Sequence, residues 1–215
     1  MTVHTLVKLL PDPDALRTRC RALALLDHIL DPSFPTYSFT PDWRPGVDLA
    51  TMDSGSGDEY AVVFDSAGVF LYGFDHESDA TPWREWPRVH WPGLLDGLPA
   101  SLARYAETPE FLLDGFFDAT VCVWREEGSA AWRHGPVEFA EGETDGADWL
   151  FDRLVDGSAE AYVAYAEDYF EQRVDRDAVA AVLAGTPLSR GTVTALSAAD
   201  FDAVAARARA LGYTV

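Results

Sequence analysis

The stretch Met52–Glu77, MDSGSGDEYAVVFDSAGVFLYGFDHE, constrains the fold more than any other part of this chain. Tyr60, Val62 and Phe64 alternate with Ala61 and Val63, the period of two that a pleated strand imposes. Val69–Phe74 is a second apolar run of strand length. Between them, Asp65-Ser66-Ala67-Gly68 supplies turn residues, with Gly68 free to take a positive φ. The spacing predicts a hairpin entered through a polar glycine loop. A two-residue turn sets Asp58 opposite Asp75. A three-residue turn with a glycine bulge instead sets Asp58 opposite His76 and Glu59 opposite Asp75. Both registers bring Asp58 and Glu59 beside Asp75, His76 and Glu77 at the open end of the hairpin.

Carboxylates that face one another across a ladder repel. A fold that holds them together needs backbone donors, arginines, a cation or a raised pKa. Gly55 and Gly57 allow the loop to bend so that its N–H groups point at such oxygens. Asp58, Glu59, Asp75, His76 and Glu77 are therefore the candidate binding residues, as a metal or acid–base site. The plainer reading of the same residues is a loop whose acidic side chains tie down turns, with His76 half-buried and hydrogen-bonded.

Charge narrows the partners. The formal net charge is −20, and it is uneven: residues 51–118 carry thirteen acidic side chains against Arg84, Arg88 and Arg104. Such a surface disfavours nucleic-acid phosphate and anionic membrane, and suits a basic protein, a cation or a neutral small molecule. Cys20 and Cys122 are the only cysteines, both in apolar settings and without a CxxC spacing, so two buried free thiols in a reducing compartment are expected. The N-terminus has no charged-then-apolar signal pattern and no apolar run approaches membrane-spanning length, so a cytoplasmic location is expected.

The rest of the chain reads as support for the hairpin. Asp12-Pro13 opens a helix over about 13–30, with Leu16, Cys20, Leu23, Asp27 and Leu30 on one stripe. Residues 31–48 hold four prolines and read as loop, with Tyr37 and Phe39 on an edge strand. Val47–Met52 forms another strand. TPWREWPRVHWPG, residues 81–93, has three tryptophans broken by prolines, and is expected to cover the sheet rather than to meet a partner. Residues 99–106 and a short piece within 107–117 read as helical. Thr120–Trp124 is a strand, paired with 130–133, and Arg125 or Arg133 is a candidate to neutralise the hairpin's carboxylates. From Ala147 the chain turns helical, over 147–155, 159–173, 176–184, 190–196 and 199–211. Tyr162, Tyr165, Ala166 and Tyr169 form an aromatic core stripe, Ser197 is expected to cap the last helix, and Gly212 stops it. With no repeat and no low-complexity linker, residues 1–215 are expected to form a single α+β domain: an antiparallel sheet with an N-terminal helix and a C-terminal helical group packed on it.

Established motifs fail on their own terms. Gly55-Ser56-Gly57 lacks the Gly-Lys-Ser/Thr ending of a phosphate loop and precedes a strand, and Tyr60 stands where a dinucleotide fingerprint needs its third glycine. Asp53–Asp58 does not match calcium-loop spacing, and HExxH, GxSxG and cysteine–histidine metal sets are missing. The spans LPDPDALRTRCRALALLDHIL, MDSGSGDEYAVVF, GFDHES, HWPGLLDGLP, VCVWRE, PLS and the closing LGY together resemble a family of uncharacterised bacterial proteins of about this length. GSGDEY and GFDHE carry that resemblance most specifically. It implies a single-domain bacterial cytosolic protein, with Tyr37, Asp58, Glu59, Asp75, His76, Glu77 and Trp124 in one unit. It transfers no activity, cofactor or catalytic residue. Charge and failed motifs together predict a non-enzymatic acidic regulatory protein, immunity-like, with no cofactor, that meets a basic protein partner. The alternative is a metal-assisted hydrolase holding a divalent ion on Asp58, Glu59, Asp75, His76 and Glu77.

Overall fold

The structure, a computed structural model describing residues 1–215, contains one six-stranded sheet. The strands are β1 (Tyr37–Arg44), β2 (Val47–Asp53), β3 (Glu59–Asp65), β4 (Gly68–Phe74), β5 (Val121–Glu126) and β6 (Arg133–His134). They pair in sequence order, each antiparallel to the next. β3 and β4 lie at the centre, and every residue of β4 is buried. That explains why the hairpin is apolar on both faces: a strand covered on two sides has no solvent face for polar residues.

The β3–β4 register pairs Glu59 with Phe74 and Asp65 with Gly68, so Ser66-Ala67 form a two-residue turn and the three-residue alternative is excluded. Gly68 has φ +137°, and a methyl there would run into the Arg125 backbone carbonyl oxygen. The glycine is thus demanded by the neighbouring strand as well as by the turn. β1 and β2 form the adjoining edge, and β1 tolerates Pro41 because its pairing breaks between Thr40 and Arg44, where Asp42 adopts φ +49°.

Helices cover one face. α2 (Pro13–Leu30) starts where Asp12 Oδ1 accepts from Asp14 N and Ala15 N, with Pro13 at its first position. Its buried stripe includes Leu16, Cys20, Leu23 and Asp27. Asp27 earns that burial as a three-way tie: Oδ2 accepts from Thr36 N at 2.9 Å and Tyr37 N at 3.0 Å, and Oδ1 from the Tyr162 hydroxyl at 2.7 Å. The C-terminal group comprises α4 (Ala147–Leu150), α5 (Asp152–Val155), α6 (Ala159–Tyr169), α7 (Arg176–Leu183), α8 (Arg190–Leu196) and α9 (Phe201–Ala210), numbered after the short α3 (Ala100–Ala103). The Phe151 ring meets Tyr60 and packs so closely on Gly73 that a side chain there would strike it. The other face is covered by the connection from β4 to β5, whose Tyr105 stacks on Phe70 and whose Phe111 and Phe117 pack on Tyr72.

Several expectations change. α1 (Val3–Leu9) precedes α2, joined to the body where Val3 N donates to the buried Asp145 Oδ2 at 2.8 Å. Asp200, not Ser197, caps α9 through Ala203 N; Ser197 ends α8 instead. α6 stops at Tyr169, whose ring is exposed, so the aromatic stripe is core only through Tyr162 and Ala166. Trp83 and Trp86 do not cover the sheet: they are 49% and 86% exposed. Of its three tryptophans only Trp91 packs inward, stacked on Phe139. No helix is long and apolar enough to cross a membrane.

Candidate functional site

The open end of the hairpin does gather charged groups, but on two faces. Continuing the β3–β4 register by one step sets Asp58 across from Asp75, on the face of Tyr60 and Phe151. Glu59 and Phe74 point the other way, toward Phe111.

On the helical face, ligand-type atoms of Asp58, Asp75 and His76 all lie within 4.8 Å of one another. Both aspartates are buried, and each is held by its own donors. Asp58 Oδ1 accepts from His76 N at 3.0 Å and pairs with His76 Nδ1 at 2.6 Å, while Oδ2 accepts from Ser54 Oγ at 3.3 Å. Asp75 Oδ1 accepts from Glu77 N at 2.9 Å, and Oδ2 from the Trp149 indole at 3.0 Å. Donors therefore offset the repulsion between the two carboxylates, and arginines play no part. Arg125 lies opposite Val69 near the far, turn end and donates to Ser129 O, and Arg133 lies opposite Trp124 on the last strand. The glycine loop also works differently from expectation. Gly55 N donates to Asp53 Oδ1, and Ser56 N and Asp58 N donate to Ser54 Oγ, so the loop closes on itself. Gly146, at φ +81°, lies against Asp75 so closely that a β-carbon would collide with its carboxylate.

The Asp58 carboxylate fixes the imidazole with Nδ1–H toward Oδ1 and Nε2 outward. That hydrogen bond is the main reason the His76 pKa is raised; the charges of Glu77 and Asp75 add to it. Nε2 is faced by the Glu77 carboxylate, with Oε1 at 3.9 Å. Ser54 is committed to Asp58, and Cys20 and Cys122 are buried free thiols, with burial pushing the Cys20 thiol up to about 12. A cation at the cluster would replace bonds that every carboxylate oxygen already makes.

On the opposite face a cleft of about 530 Å³ opens beneath the glycine loop. Asp53, Asp58, Glu59, Glu110 and Asp118 line it, with Phe74, Phe111, Leu112 and Leu113 as its apolar part, and no lysine or arginine is among the lining residues. Glu59 Oε1 accepts from the Tyr72 hydroxyl at 3.0 Å. Desolvation raises the Glu59 carboxyl against that bond, and the charges of Asp53 and Asp118 raise it further. Asp118 is raised by burial, moderated by Arg88, whose Nη1 meets Oδ2 at 2.5 Å. Sequence reasoning named Glu59 but missed Glu110, Asp118 and Trp149. Asp118 precedes a strand, and Trp149 lies 74 residues from Asp75, so local pattern carries neither.

Comparison of the chain with protein-family models, with curated proteins and with solved structures found no match.

Proposed function

We propose that this chain is a non-enzymatic, acidic cytoplasmic binding protein that acts by contact with a basic protein partner, as a regulatory or immunity-like factor does. The observation that carries this reading is the cleft: Asp53, Glu59, Glu110 and Asp118 around an apolar floor, with Arg44 paired to Glu110 and Arg88 to Asp118. A surface of that kind favours a positively charged partner in both encounter rate and specificity. The exposed side chains of Trp83, Trp86 and Leu113 add the aromatic and aliphatic area from which interface anchors are made. The satisfied hydrogen bonds at Asp58 and Asp75 support a positioning role there: they hold the loop that roofs the cleft.

The test is capture from bacterial cytosol by the immobilised chain at about 50 mM and about 500 mM salt, where screening differs severalfold in range. A defined basic protein should be retained at low salt, released at high salt, and lost when Glu59→Lys and Glu110→Lys are combined. Retention indifferent to salt and to both substitutions counts against the reading.

A second reading, a metal-assisted hydrolase, rests on the Asp58–Asp75–His76 cluster. Two carboxylates and an imidazole are the donor set with which a divalent ion activates water. Calorimetric titration with Mg²⁺, Mn²⁺, Ca²⁺ and Zn²⁺ separates the two readings. Stoichiometric binding abolished by Asp75→Asn supports the hydrolase, and absence of heat for all four ions removes it.

A further inference from the structure

Two histidines 130 residues apart in the chain, His4 and His134, meet at the junction of α1 with β6. His4 stands on the first turn of α1, which is fixed by the bond from Val3 N to Asp145 Oδ2 and by the buried Leu6. His134 stands on β6, paired with Val123 of β5. The rings meet edge to face with centroids 4.8 Å apart, and His4 Nδ1 lies 3.3 Å from His134 Nε2. The other nitrogen of His134, Nδ1, lies 2.5 Å from Gly135 O, which can only accept. His134 Nδ1 therefore carries the proton and its Nε2 a lone pair, so His4 donates from Nδ1 and a single proton joins the rings.

We propose that this pair is a two-histidine site for a divalent transition-metal ion such as Zn²⁺, bound by His4 Nδ1 and His134 Nε2. Two nitrogens on one tetrahedral zinc, each about 2.0–2.1 Å from the metal, stand about 3.3–3.4 Å apart. That is the separation of the two nitrogens here. The ion takes the place of the shared proton. His4 moves that proton to its own Nε2, and both imidazoles bind as neutral ligands. A carbonyl on the far nitrogen is the support that orients metal-binding histidines, and Gly135 O supplies it for His134. Water completing the coordination has room: a cavity of about 470 Å³ opens beside His134, lined also by Val7, one turn along α1 from His4. Asp96 and Glu126 line it against Arg133, a balance that favours a cation. The site shares no residue with the Asp58–Asp75–His76 cluster, and it stands independently of the binding-protein reading. A bound ion links α1 to β6, so it stabilises the folded chain, which alone presents both rings at once.

The test titrates the tag-free chain with Zn²⁺, and with Mg²⁺ as its hard-ion counterpart, by calorimetry and by the histidine ring resonances. Zn²⁺ should bind one to one, move the His4 and His134 rings together and raise the melting temperature; Mg²⁺ should do none of these. His4→Ala and His134→Ala should each weaken Zn²⁺ about tenfold or more, because one imidazole loses the gain of two held together. Asp75→Asn should leave the affinity in place. If an alanine variant fails to fold, His4→Gln serves, since its amide can still donate to His134 but is a poor zinc ligand. Zn²⁺ that leaves the His4 and His134 rings unmoved, or that binds as well to the His4 variants as to the wild-type chain, overturns the site. Binding lost in Asp75→Asn and kept in His4→Ala assigns the ion to the Asp58 cluster and overturns it equally.

Discussion

At the scale of single residues, the Asp58–His76 pair shows how a loop can be locked by a titratable bond. Both the backbone N–H and the ring of His76 meet one carboxylate oxygen, so Asp58 holds the chain beyond β4 against the chain before β3. The folded-state pKa of His76 lies above its ordinary value because the protonated ring bonds the carboxylate. Its contribution is therefore fully present below the unfolded histidine value of about 6.5 and is lost as pH rises through the folded value. The His76 ring resonances should titrate with a midpoint above that of a free histidine, and Asp58→Asn should bring the midpoint back down. A midpoint at the ordinary value in the wild-type chain would mean that the pair does not form in solution.

Among the elements, the hairpin turn and the glycine loop make different demands on the same residue type. At Gly68 the backbone is left-handed and β5 occupies the space of a β-carbon. Gly68→Ala should cost about 3 kcal/mol or more in a denaturant titration, combining strain with overpacking. Gly55, at φ +74°, has nothing within 4 Å of such a carbon. Gly55→Ala should cost only about 1 kcal/mol, from the backbone alone. Equal costs at the two sites would contradict the packing described. The same contrast explains what could be read from sequence. The hairpin and the α2 boundaries follow from local chemistry, period and cap, whereas the turn length left two registers open and the structure decides for Asp58 across from Asp75. α1 did not, because seven residues, VHTLVKL, are too few to display a helical period. The exposure of Trp83 and Trp86 depends on the course of the chain from β4 to β5, which no window of sequence contains. The split of Asp58 and Glu59 onto opposite faces was legible in the strand period; the partners on each face were not.

For the whole molecule, acidity and burial act in the same direction. Burial pushes Asp27 up to about 6, against the bonds from Tyr162, Tyr37 and Thr36. Desolvation likewise raises Asp145, Asp118 and Glu59. A carboxyl raised on folding holds its proton longer in the folded chain, so its stabilising effect is complete below about pH 4 and is lost as pH rises through the folded value. For Asp27 that loss is on the order of 3 kcal/mol between about pH 4 and pH 6. Other groups oppose it at the acid end: Asp156 is held down by the Ser158 hydroxyl and N–H, and Glu160 by its own backbone N–H and Arg176, so their contribution disappears as pH falls below about 4. Above neutrality a net charge of −20 adds self-repulsion. The melting temperature should therefore be higher near pH 4.5 than near pH 8, and added salt should narrow the gap by screening. Asp27→Asn should flatten the slope, since its carbonyl can still accept from Thr36 and Tyr37 while its amide faces the Tyr162 oxygen. A melting temperature that climbs from pH 4.5 to pH 8 would show that the Asp27 tie is ionised without penalty. The packing of α2 against β1 and α6 would then need a different account.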